Sequence, residues 1–208
     1  MTISYAITVC NEFLEIQRLI TFLLKNKRLQ DNIVVLFDES NGDREVENYL
    51  RSHSQNGEFH WHKAKFQGHF ADWKNKLTSL CTGDWIFQID ADEIPHNNLV
   101  ENLPALLKEN QNVDMIRVPR VNTVEGLTEE HIKKWGWNVN EKGWVNWADW
   151  QMRIYKNTTK IKWINKVHEV LNGFSNHGML PAEEEWALYH PKTIERQERQ
   201  NEYYNKLG

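Results

Sequence analysis

The chain has 208 residues and a formal net charge of −4, a size that suits one domain and a charge without the basic stripe of a nucleic-acid binder. Its mean hydropathy of −0.71 is that of a water-soluble chain, and no stretch approaches the ~20 apolar residues that span a bilayer, although peripheral membrane contact stays compatible with both. Cys10 and Cys81 form no CxxC, and the N-terminal Met-Thr-Ile-Ser-Tyr lacks a charged and then apolar leader, so reduced thiols in a cytoplasmic protein are expected.

In chain order, residues 3–9 read as a buried strand. Residues 12–27 follow as a helix, with Phe13, Ile16, Ile20, Leu23 and Leu24 at helical spacing. The β-branched run 32–37 is a second strand, and 43–53 is a polar helix with Val46, Tyr49 and Leu50 on one face. Residues 58–62 are read as a third strand. A helix over 68–81 carries Phe70, Trp73, Leu77 and Leu80, and a Gly83-Asp84 turn leads into a strand over 85–89. A helix over 98–108 and a strand over 113–118 complete the regular half. Residues 121–150 have no clean period. Two strand-like runs, 151–156 and 160–164, and a charged helix over 193–207 close the chain.

Strand and helix in alternation imply right-handed crossovers and a mostly parallel sheet. The expected fold is therefore α/β, with a Rossmann-like central sheet flanked by helices in one domain. Residues 1–120 form the nucleotide-type half and residues 121–208 the acceptor-side half. In such sheets ligands bind beyond the carboxyl ends of the strands, which gathers the polar loops 10–12, 38–43 and 90–95 on one edge.

The last of these loops crowds three carboxylates, Asp90, Asp92 and Glu93, behind an apolar strand. One reading is a divalent cation, since Mg²⁺ or Mn²⁺ uses one or two carboxylates together with substrate phosphates. The other is a solvated acidic turn. Two enzyme chemistries place a DxD at a strand end. Haloacid-dehalogenase-type phosphatases use the first Asp as nucleophile in DxDx(T/V), which would be Asp90 here, but the last position is Ile94 and the motif follows several other elements. Nucleotide-sugar glycosyltransferases instead use the pair to hold a metal on the donor diphosphate.

Several segments resemble, in order, one family. "AITVCNE" resembles a first strand with its Asn-Glu, and "IVVLFDESNGD" a second strand with its acidic end. "GHFADWKNKLTSLCTGDWIFQIDADE" resembles an Asn-bearing helix followed by a strand and DxD-Glu. "VPRVN", "GWVNWADWQMRIYKN", "NKVHE" and "ALYHPKTIERQERQNEYYNKL" resemble the later blocks. Together they resemble glycosyltransferase family 2 with the GT-A fold, in the subgroup of bacterial lipopolysaccharide-core β-1,4-glucosyltransferase-like proteins. The second block departs from the family's small residues at Glu39 and Asn41.

The resemblance implies an inverting, metal-dependent transfer of a hexose, glucose in this subgroup. The donor is a nucleotide sugar, a UDP-sugar above all, and the acceptor is a glycan such as lipopolysaccharide core, in the cytoplasm at the inner face of a membrane. It implies Mn²⁺ or Mg²⁺ as cofactor, with Asp92 and His190 as its ligands and His168 as a further metal or phosphate contact. Asp38, Asn75, Asp90 and Arg153 are implied on the donor. The bland alternatives are an Asx turn for Asp38, an exposed helix position for Asn75 and a structural ion pair for Arg153. Glu93 either orients the aspartates or caps the next segment. Glu169 is the first candidate for the base and Asp149 the second. Six of the ten tryptophans lie between residues 135 and 163. Most are expected to pack, with Trp137 and Trp144 lining the acceptor cleft. The competing readings are a non-catalytic carbohydrate-binding domain on the same fold, and the phosphatase.

Overall fold

The structure is a computed structural model that describes the backbone of residues 1–207 and the side chains of residues 1–202. Its first half runs β1 (Ile3–Val9), α1 (Phe13–Asn26), β2 (Asn32–Asp38), α2 (Arg44–His53), β3 (His60–Ala64), α3 (Phe70–Leu80), β4 (Trp85–Asp90), β5 (Ile94–Pro95), α4 (Asn97–Glu109) and β6 (Met115–Val118). The second half adds β7 (Arg120–Glu125), α5 (Glu129–Trp135), β8 (Gln151–Lys156), β9 (Lys162–Ile164), β10 (Val170–Asn172), β11 (His177–Met179), β12 (Leu188–Thr193) and α6 (Ile194–Leu207). Among the described residues no helix is long and apolar enough to cross a membrane.

Seven strands form the central sheet in the order β11-β6-β8-β4-β1-β2-β3. β1 pairs in parallel with β2 and β4, and β2 with β3. β8 alone is reversed, running antiparallel between β4 and β6. Strands covered on both faces read as continuous apolar runs, which is why ISYAITV and NIVVLFD are so plain in the sequence. On one face Ile3, Tyr5 and Ile7 of β1 pack with Ile16 and Ile20 of α1 and Leu99 and Leu103 of α4. On the other, Ala6 and Ile86 pack with Ala71, Trp73 and Leu77 of α3.

β3 starts two residues later than expected. Phe59 is buried but precedes the strand, and His60–Ala64 is a largely exposed edge strand, so apolar alternation says little about it. A second sheet of three strands, in the order β5-β12-β7, was not expected; of its strands only β7 falls in the aperiodic stretch. β12 pairs antiparallel with β5 through Tyr189 and Ile94, and parallel with β7 through His190 and Asn122. That short sheet delivers His190 to the end of β4.

Two expected site residues lie off the main cleft and make packing or backbone contacts. Trp144 does not line the main cleft. It is 9% exposed and packs on Val121, Ala187 and Trp147, because the β7–β12 layer needs an apolar cover. Asn75 does not border the cleft. Its amide donates to the Trp163 carbonyl at 2.8 Å and accepts from the Trp163 N–H at 2.9 Å, fastening β9 to α3 by imitating a strand neighbour. Replacing Asn75 by Ala is expected to lower unfolding free energy in urea by about 1–3 kcal/mol and to leave nucleotide affinity unchanged. A loss of nucleotide affinity with stability intact would return Asn75 to the donor site.

Candidate active site

The carboxyl ends of β1, β2 and β4, the start of α3 and the β7–β12 layer surround a cleft of about 1270 Å³. Asp38, Asp90, Asp92, Trp137, Asp149, Arg153, His168, Glu169 and His190 all border it; Asn75 and Trp144 do not.

Glu93 lies beneath the floor with no exposure. Its Oε1 accepts from Arg153 Nη2 at 2.6 Å and Arg120 Nη1 at 3.0 Å, and its Oε2 accepts from the Asp90 N–H at 3.1 Å. Arg153 Nη2 also donates to Asp90 Oδ2 at 2.6 Å. Arg153 is thus ion-paired with both Asp90 and Glu93, and Glu93 is tied to Asp90 through its backbone N–H. Lys74 of α3, only 6% exposed, stands 3.9 Å from Asp90 Oδ1 and 2.5 Å from Glu169 Oε1, over the Trp163 ring at 4.6 Å. Burial pushes the Asp90 carboxyl up, but Arg153 and Lys74 outweigh it and hold it well below the usual carboxylate range.

The network continues through Arg120, whose Nε and Nη2 donate to Asp149 Oδ2 at 3.0 and 2.7 Å. Asn122 Nδ2 donates to the same oxygen at 2.9 Å, and Gln151 Nε2 donates to Oδ1 at 2.7 Å. Asp149 is desolvated, yet Arg120 and these amides keep its carboxyl low. A carboxylate only accepts, so the Asn122 amide must turn its oxygen to His190 Nδ1, 2.7 Å away. That nitrogen then carries the proton, and Nε2 points to Asp92 Oδ2 at 3.3 Å. Burial raises Asp92, but His190, Arg196 and Lys192 more than offset it and its carboxyl also stays well below the usual range.

These groups fit a divalent cation. Oδ2 of Asp92 and Nε2 of His190 are close enough to share one ion at about 2.1 Å from each, and the Asn122–Asp149 relay is the outer-shell support that orients a ligating imidazole. Among the described residues no group of three or more His, Cys, Asp or Glu side chains is placed to hold a metal. A cation held there would have Asp92 and His190 as its protein donors, with phosphate oxygens and water for the remaining positions.

Asp38 is 4% exposed and shapes the loop behind it. Oδ1 accepts from the N–H groups of Ser40 at 2.9 Å and Phe66 at 3.1 Å, and Oδ2 from Asn41 Nδ2 at 2.9 Å. The Asx turn is thus present, and Asn41, a departure from the family pattern, closes it. Gly42 is required there, since a Cβ would lie 2.2 Å from the Asp38 carbonyl oxygen. The Cys10 thiol at the rim is pushed up to about 12 by burial and by Glu12, Asp38 and Asp43, so it supplies no thiolate nucleophile.

Sequence reasoning passed over Lys74, Arg120, Asn122 and Arg196. Arg120 and Asn122 sit in the quoted "VPRVN" and Lys74 beside Asn75, but their significance lies in partners 16 to 95 positions away, which no local pattern carries.

The sequence model for Glycosyl transferase family 2 matches residues 4–174. No curated protein sequence matches the chain. Among solved structures, S. aureus TarS 1–349 superposes with a TM-score of 0.62 at 12% identity, over 92% of this chain and 60% of that one. The same fragment in complex with UDP-GlcNAc gives 0.64 at 13%, over 92% and 59%. The chain thus spans about 60% of the length of that fragment, and at such identity the likeness speaks for the fold. The family match over most of the chain, with the parallel sheet and the cleft at its carboxyl edge, places it plainly: the chain belongs to glycosyl transferase family 2 and has the GT-A fold.

Proposed function

We propose that the protein is an inverting glycosyltransferase that moves a hexose from a nucleoside-diphosphate sugar to a glycan, with a divalent cation held by Asp92 and His190. The observation that carries this reading is the Asp92–His190 pair at the end of β4, backed through Asn122 by Asp149. TarS, which shares the fold, has been solved with UDP-GlcNAc and with UDP, which supports a UDP-sugar as donor. The resemblance of "GWVNWADWQMRIYKN" and "NKVHE" supports glucose as the sugar and lipopolysaccharide core as the acceptor, met in the cytoplasm at the inner membrane face.

The bound cation would supply Lewis-acid neutralisation of the leaving diphosphate. This chain's own groups do the rest. Asp90, fixed by Arg153 and flanked by Lys74, borders the donor end, with Asp38 shaping the loop beside it. An inverting transfer also needs a base to take the acceptor hydroxyl proton as the new C1–O bond forms and the C1–O bond to diphosphate breaks. Glu169 suits that role better than Asp149. Among the described residues Lys74 is its one ion-pair partner, so lone pairs remain to receive a proton. Asp149 is committed to four donors and kept acidic by Arg120, so it serves as the anchor of the His190 relay. Trp137, half-buried at the cleft wall against Trp135, offers a flat apolar face to a sugar ring.

With UDP-glucose, Mn²⁺ and an oligosaccharide acceptor, the protein is expected to release UDP, and Asp92→Asn to lower that rate by roughly 10²–10³-fold. Sugar binding without UDP release, unaffected by Asp92→Asn, would instead leave a carbohydrate-binding module. Glu169→Gln is expected to reduce kcat by about 10²–10⁴-fold with UDP affinity retained. Full kcat in Glu169→Gln would transfer the base to Asp149.

A further inference from the structure

Arg196 in the first turn of α6 faces three carboxylates. Its Nη2 lies 3.2 Å from Glu12 Oε1 and 3.3 Å from Asp92 Oδ2, and its Nη1 donates to Glu15 Oε1 at 2.9 Å. Oδ2 of Asp92 is also the atom that His190 Nε2 approaches at 3.3 Å. The oxygen on which the cation would sit therefore already has a permanently charged guanidinium beside it. A divalent ion on this oxygen would sit beside the guanidinium and repel it.

The two forms in which the ion can arrive differ in what they offer Arg196. A free cation adds positive charge next to the guanidinium and gives it no new acceptor. A cation carried by a nucleoside diphosphate brings phosphate oxygens, for which a guanidinium forms strong charge-assisted bonds. The pairing with Glu15 lets Arg196 leave Asp92 without leaving the rim of the cleft.

We infer that Arg196 is a positioning residue that closes Asp92 to free divalent cations and opens it to the cation–diphosphate complex, moving from Asp92 to the diphosphate as the complex enters. The inference rests on the reading of Asp92 and His190 as cation ligands. It makes cation and nucleotide binding strongly coupled, each strengthening the other by the same factor.

The test is an electron paramagnetic resonance titration of free Mn²⁺ with the full chain, with and without UDP. It uses wild type, Arg196→Gln, Arg196→Lys and Asp92→Asn. Wild type is expected to bind Mn²⁺ alone weakly and to gain at least about tenfold in affinity with UDP, on the scale of one charge-assisted hydrogen bond. Arg196→Gln should bind Mn²⁺ alone about tenfold more tightly than wild type, with a smaller gain from UDP, and Arg196→Lys should stay near wild type. If Arg196→Gln binds Mn²⁺ alone no better than wild type, while wild type with UDP binds it through Asp92, the cation site stands and the inference falls. If wild type with UDP binds no Mn²⁺, or binding survives Asp92→Asn, the cation site falls and the inference with it.

Discussion

The site is built on a carboxylate that never meets solvent. Glu93 has no exposure, and an ion in that position is tolerated only when charged partners replace its water. Arg153 reaches it from β8 and Arg120 from β7, which ties the topology to the chemistry. Arg153 can reach Glu93 and Asp90 because the reversed strand β8 lies directly beside β4. Arg120 can span Glu93 and Asp149 because β7 joins the small sheet that also carries β5 and β12. The two arginines tie β7 and β8 to the end of β4 through one buried acid.

This arrangement changes the meaning of the crowded carboxylates after β4. From the sequence alone, their repulsion calls for a missing divalent cation. In the folded protein, Asp90 is already paired with Arg153 and Lys74, and Asp92 with His190 and Arg196. Folding does not require the metal for neutrality. On the proposed reading, a divalent ion would be a guest that competes with Arg196 for Asp92, with His190, held through Asn122 by Asp149, as its second donor.

The central strands and their helices were legible because each is covered by apolar neighbours whose period shows in the sequence. β1 and β8 begin and end where the sequence places them, and β2 and β4 run one residue longer. Legibility fails where exposed or aromatic residues carry the structure. β3 shifts by two residues because its HWHKA segment is mostly exposed. β12 is obscured by Pro191 and by the lack of an alternating apolar pattern. In the site, the sequence drew attention to the acids but not to the bases that hold them. It selected Asn75 over Lys74 because an Asn inside a helix stands out and a Lys does not, yet the buried member of the pair at the cleft is Lys74. Trp144 likewise looked like a sugar platform because composition cannot tell an aromatic core from an aromatic wall.

The central claim is that the carboxyl edge of β4 takes a nucleoside diphosphate through a cation shared by Asp92 and His190. Anomalous diffraction at the manganese edge from crystals grown with UDP and Mn²⁺ tests it most directly. One strong peak is predicted, about 2.0–2.3 Å from a carboxylate oxygen of Asp92 and from Nε2 of His190, with diphosphate oxygens completing its shell. UDP bound in the cleft with no manganese at Asp92, or manganese held elsewhere, would contradict the account.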